Sequence, residues 1–137
     1  MSLIDKLMAI DKGEFAKEKT AEMPAKHISA VMGETQMIKV QAISGDQFTD
    51  ISTRLMNKKG DPDYSRSYDI NALLVVEGLV EPSAKSKELQ KHFGCATPKE
   101  LVKILFPGSE LTEVANKITE LSGFSQSDKD VEDEVKN

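Results

Sequence analysis

Tryptophan is absent from this chain, and aromatic residues make up only 5% of it. A β-sandwich leans on aromatic and β-branched side chains, so their scarcity favours helices packed through Leu, Ile, Val and Met. Cysteine is nearly absent too. Cys95 alone cannot form an internal disulfide, which points to a reducing compartment. Histidine is confined to His27 and His92, which stand in no metal-binding spacing. Long apolar runs are missing: the longest, 72–76, is far too short to span a bilayer. The first apolar stretch, Leu3 to Met8, is broken by Asp5 and Lys6, unlike a signal peptide. Positive charge is not in excess either. A net charge of −5 argues against a general affinity for nucleic acid or an anionic membrane. These absences predict a soluble, cytoplasmic protein with no membrane and no nucleic-acid partner.

What is present suffices for one domain. With 137 residues, 39% of them apolar, folding should bury roughly two-thirds of the unfolded chain's surface. Ser2 followed by Asp5 reads as a capping box. Leu3, Ile4, Leu7 and Met8 then share one helical face, predicting a short amphipathic helix from 3 to about 11. Residues 12–24 are polar and read as a linker, so 1–24 is taken as helix plus linker. From 25 to 43 the apolar residues alternate: Ile28, Ala30 and Met32, then Ile38, Val40 and Ala42. Alternation about Gly33 predicts a β-hairpin over 26–43.

Five helices are expected next. Ser44 and Gln47 cap one over 45–57, with Phe48, Ile51 and Leu55 on its face. A second, roughly 66–80, is the most apolar segment and the predicted core element. Glu81-Pro82-Ser83 stops it. Ser86 caps a short helix with Leu89 and Phe93, closed by Gly94. Thr97-Pro98-Lys99-Glu100 gives cap, first-turn proline and acid in sequence. Its helix carries Leu101, Val102, Leu105 and Phe106 and ends at Pro107-Gly108. Ser109 caps the last helix, whose Leu111, Val114, Ile118 and Leu121 form one buried stripe. The short turn at 107–108 predicts that the last two helices pair antiparallel. Gly123 and Phe124 suit a left-handed helix end. The fold class is thus α+β, a mostly helical domain over 25–124 with one N-terminal hairpin. Residues 125–137 form an acidic tail expected to be disordered.

No catalytic, metal-ligating or cofactor-binding residue is predicted, and no cofactor. Cys95 with His92 nearby lacks an activating partner, so a cysteine-dependent enzyme is a distant reading. Asp61 and Asp63 lack the glycine and glutamate of a calcium loop and are better explained by helix capping. Lys85, Lys87, Lys91, Lys99 and Lys103 are interspersed with acids, which fits a solvated helix face. A helix-turn-helix regulator using 86–106 is nonetheless the alternative function. The candidate partner-binding residues are Leu3, Ile4, Leu7 and Met8, as a face inserted into a partner's groove. Docking of that face on the protein's own core is the plainer expectation.

The stretch from Leu89 to Phe124 resembles the XkdN-like tail assembly chaperones of tailed bacteriophages and prophages. The likeness lies in the Phe93-Gly94 helix end, the Thr97-Pro98-Lys99-Glu100-Leu101 helix start, the Pro107-Gly108 turn and the terminal Leu121-Ser122-Gly123-Phe124. Upstream, Asp69-Ile70-Asn71 with its apolar helix fits the same layout, so the resemblance covers about 25–124. It implies a non-enzymatic role in the bacterial host cytoplasm: holding the phage tail tape measure protein and recruiting tail tube protein around it. Such chaperones are often made in two forms by ribosomal slippage. The closing Lys136-Asn137 is compatible with a slippery A-AAA-AAC heptamer, although a plain polar terminus is the preferred reading. Oligomeric state is not legible.

Overall fold

The computed structural model describes residues 2–17 and 19–124. The expectations for the acidic tail and for Lys136-Asn137 fall outside the described residues. The elements run α1 (Leu3–Met8), α2 (Lys12–Phe15), β1 (Thr20–Pro24), α3 (Lys26–Met32) and β2 (Met37–Gln41). After them come α4 (Gly45–Thr53), a 3₁₀ turn (Tyr64–Arg66), α5 (Ser67–Gly78), β3 (Leu79–Glu81), α6 (Lys87–His92), α7 (Pro98–Leu105) and α8 (Ser109–Leu121). The α+β class stands, but the sheet is three-stranded and antiparallel in the order β1-β2-β3.

The predicted 26–43 hairpin is corrected. Its second strand exists, with Ile38 and Val40 buried, but its first half is the helix α3. β2 pairs instead with β1, with Ala21 opposite Val40 and Met23 opposite Ile38, in a segment read as linker. Ile28, Val31 and Met32 stand at helical spacing, and Gly33 ends the helix at φ 75°. A glycine with positive φ just past the last turn is a helix stop as readily as a hairpin turn. The alternation over 28–32 was therefore a by-product of a one-sided helix. In β1 the inward residues are half-buried Ala21 and Met23, too small a signal to mark a strand.

Several caps form as expected. Asp5 N–H donates to Ser2 Oγ at 3.2 Å and Gln47 N–H to Ser44 Oγ at 3.1 Å. Glu100 N–H donates to Thr97 Oγ1 at 3.2 Å. Ser109 is not a cap: Gly108 holds that position and Ser109 is the first helical residue. The helices at 3–11 and 45–57 end earlier, at Met8 and Thr53. At the end of α8, Gly123 N–H reaches Glu120 O and Phe124 N–H reaches Thr119 O. Phe124 then stacks on Phe48 of α4, ring centroids 4.2 Å apart.

The helix α5 is the centre of the core. Ala72, Leu74, Val75, Val76 and Gly78 are buried around its axis, the pattern of a helix covered on more than one side. It packs against α4, α7 and α8. The expected antiparallel pairing of α7 with α8 is therefore replaced: each lies chiefly on α5. Gly78 explains the close approach, since a Cβ there would sit 2.5–2.7 Å from Ile118 side-chain atoms. Leu111, Val114 and Ile118 are fully buried as expected, whereas Leu121 is only half-buried near the helix end.

Candidate functional site

An apolar groove of about 530 Å³ lies between α3, β2, α6 and α7. Ile38 and Leu105 are buried at its base, and Ile28 and Leu89 are half-buried. Val31 (73% exposed) and Met32 (63%) rise from α3, and Met37 stands out from β2. Opposite them are Phe93 at the end of α6 and Ile104 on α7, both exposed. His27, Gln36 and Glu81 are the polar residues of its lining. Among the described residues this apolar surface is left open to water, which makes the groove a candidate interaction site. Its volume lies within the range, about 300–1,000 Å³, of well-formed ligand sites, so a few aliphatic side chains would fill it.

The wall made by α3 is held from far away in sequence. Its cap residue, Ala25, has no side chain able to accept the first helical amides. Glu110, buried in the first turn of α8, does so instead, accepting from Lys26 N–H and from His27 N–H at 3.1 Å. A carboxylate at a helix N-terminus satisfies orphan donors and opposes the helix dipole. Lys26 Nζ also reaches Glu113 at 2.9 Å, and that carboxylate raises the lysine's pKa.

The residues singled out in the sequence are dispersed. Leu3, Ile4, Leu7 and Met8 do share one short helix, but none is buried and none lines the groove. The expected docking on the core is not what the structure shows. His27 lies in the first turn of α3 rather than in a strand, and His92 lies edge-on to Phe93. Asp63 caps the 3₁₀ turn through Ser65, whose hydrogen bonds hold its carboxyl below the ordinary range. The groove itself was missed. Its available signals were Ile28, Val31 and Met32 at one-face spacing, and Ile104 breaking the charged side of α7.

The lysine stripe is largely spoken for. Lys103 donates to Asp69, Lys99 lies 3.9 Å from it, and Lys85 reaches Glu77 at 3.1 Å. Lys103 also sits 5.5 Å over the Tyr68 ring. The Lys103 hydrogen bond holds the Asp69 carboxyl below its ordinary value of 3.8, against a smaller opposing effect of burial. A depressed carboxyl pKa stabilises the fold above the unfolded value, and that contribution is lost as pH falls through the folded value. Lys103→Met should return Asp69 toward ordinary titration. Unfolding midpoints measured from about pH 5 down to 2 should then fall less steeply than in the parent; identical acid limbs would remove this link.

Comparison with known proteins places this geometry. The profile of the phage XkdN-like tail assembly chaperone proteins matches residues 4–136. The chain is 33% identical over 98 residues to the phage-like element PBSX protein XkdN of Bacillus subtilis (strain 168), covering 67% of this chain and 64% of the relative. It has the same identity, over the same length, to the uncharacterized protein YqbN of that strain. The aligned part thus spans somewhat less than two-thirds of those relatives. The crystal structure of YqbN superposes with a TM-score of 0.62 at 26% identity, covering 84% of this chain and 93% of that one. Because the profile match runs from within α1 to beyond α8, groove walls included, the chain belongs to the phage XkdN-like tail assembly chaperone family.

Proposed function

We propose that this chain is a non-enzymatic phage tail assembly chaperone acting in the host cytoplasm. Its groove holds an apolar helical segment of the tape measure protein, and the loaded chaperone recruits tail tube subunits. The observation carrying the reading is the open groove, in a chain of this family, with apolar side chains presented at both rims. A helix laid in such a groove would contribute residues at one-face spacing. Met32 and Met37 suit a site that must fit successive, non-identical segments, because methionine repacks readily. The face of Leu3, Ile4, Leu7 and Met8 is a second apolar surface available to a partner.

The test is co-expression with the tape measure protein encoded in the same phage or prophage. The parent should co-purify with it, and Ile104→Asp should reduce recovery at least tenfold, a loss of about 1.4 kcal/mol or more. Ile104 is exposed, so this variant should keep the parent's urea midpoint. Undiminished recovery with Ile104→Asp would reject the groove as the client site.

A further inference from the structure

Among the described residues, two apolar surfaces stand unpartnered. One is the groove; the other is α1, where Leu3 (71%), Ile4 (69%) and Met8 (80%) are exposed and no residue is buried. Joining them would withdraw both from water. The volume of the groove, about 530 Å³, suits the few aliphatic side chains that α1 carries on one face.

The tether permits this within one chain. Residues 9–19 connect α1 to β1, with Lys12–Phe15 helical. At about 3.4 Å per extended and 1.5 Å per helical residue, the connector can reach at most roughly 30 Å once the turns flanking its helix straighten. The strand β1, whose far end leads directly into α3, is only about 17 Å long. So short a tether holds α1 near its own groove at an effective concentration of about millimolar, which favours it over a second copy in dilute solution.

We propose that α1 is a strap that closes over the chain's own groove, seating Leu3, Ile4, Leu7 and Met8 there until a client displaces it. The undocked α1 described above is then the open state. The inference rests on the groove being the client site, and it adds that the empty site is self-covered.

The test uses the full chain carrying Met8→Cys and Ile104→Cys in a Cys95→Ala background, oxidised mildly at low concentration. A disulfide needs the two Cα atoms within about 7 Å, so it reports docking. An intrachain cross-link is expected, well above that of a Met8→Cys, Lys58→Cys pair outside the groove, and suppressed by adding Leu3→Asp and Leu7→Asp. Cross-linked dimers would assign the groove to a second copy, and a yield no higher than the control pair would leave no strap; either overturns the proposal. A labelled peptide of residues 2–16 supplies the second readout. It should bind the Leu3→Asp, Leu7→Asp chain roughly tenfold tighter than the parent if the strap is closed about nine-tenths of the time. Equal binding, or binding to neither, overturns the strap. All the α1 substitutions lie at exposed positions, so folding is checked by an unchanged urea midpoint. Tape measure recovery with Ile104→Asp judges the groove separately: a failed strap leaves that result standing, and an unaffected recovery removes the client reading whatever the strap does.

Discussion

Truncating Ile118 to alanine is expected to lower the unfolding free energy by about 2–5 kcal/mol, the cost of a buried void plus lost transfer energy. Ile118 is fully buried in α8, and its side chain occupies the space over Gly78 where a Cβ would lie. Gly78→Ala should therefore also destabilise, by about 1–3 kcal/mol through overpacking. That cost opposes the gain of up to about 1 kcal/mol from replacing a helical glycine. The pair is diagnostic when combined. In Gly78→Ala, Ile118→Ala the new methyl enters space that the truncation vacates, so the double variant should be more stable than the summed losses predict. A coupling of about 0.5–3 kcal/mol is expected from urea unfolding of the four-member cycle. Strict additivity would mean that α5 and α8 do not interlock at this point.

Replacing Glu110 by alanine is the other change with a large expected effect, about 1–3 kcal/mol. The carboxylate accepts from two amides of α3 across a sequence separation of 84 and 83 residues, and no local side chain replaces it. Removing it strands part-buried donors at the start of a seven-residue helix. Glu110→Gln retains one acceptor oxygen without the charge and should fall between parent and alanine. Because α3 is a groove wall, Glu110→Ala should weaken tape measure recovery as well, whereas a cut confined to stability would show that α3 keeps its place without this anchor. The comparison is made at a temperature where all three proteins remain folded by circular dichroism.

Local chemistry was legible where it is written in neighbouring residues. The pairs Ser2 with Asp5, Ser44 with Gln47, and Thr97 with Glu100 announced helix starts that the structure contains. The stripe Leu111, Val114, Ile118 announced a core face for the same reason: helical spacing is a property of the segment alone. Long-range partners left no such mark. Glu110 looks like any acidic residue in a first turn until α3 is set beside it, and nothing in the turn at Pro107-Gly108 says that both helices will pack chiefly on α5. Residues 26–32 misled because a short helix exposing Val31 and Met32 mimics alternation over so few positions. The groove was hidden for the same reason, since four of its lining residues, His27, Ile28, Val31 and Met32, lie in that misread helix.

Among the described residues, the strand β1 lies at an edge of the sheet, and the α3 that follows it walls the groove. Lys19 O and Ala25 N–H bond toward the β2 side, so alternation turns the backbone groups of Thr20, Glu22 and Pro24 outward. A foreign strand adding there would meet the charge of Glu22 and, at Pro24, a position with no amide to offer. The molecule thereby separates two kinds of stickiness. Side-chain adhesion, which is non-directional and reversible, is left open between the helices. Backbone adhesion, which propagates into fibrils, is obstructed at the neighbouring edge by Glu22 and Pro24.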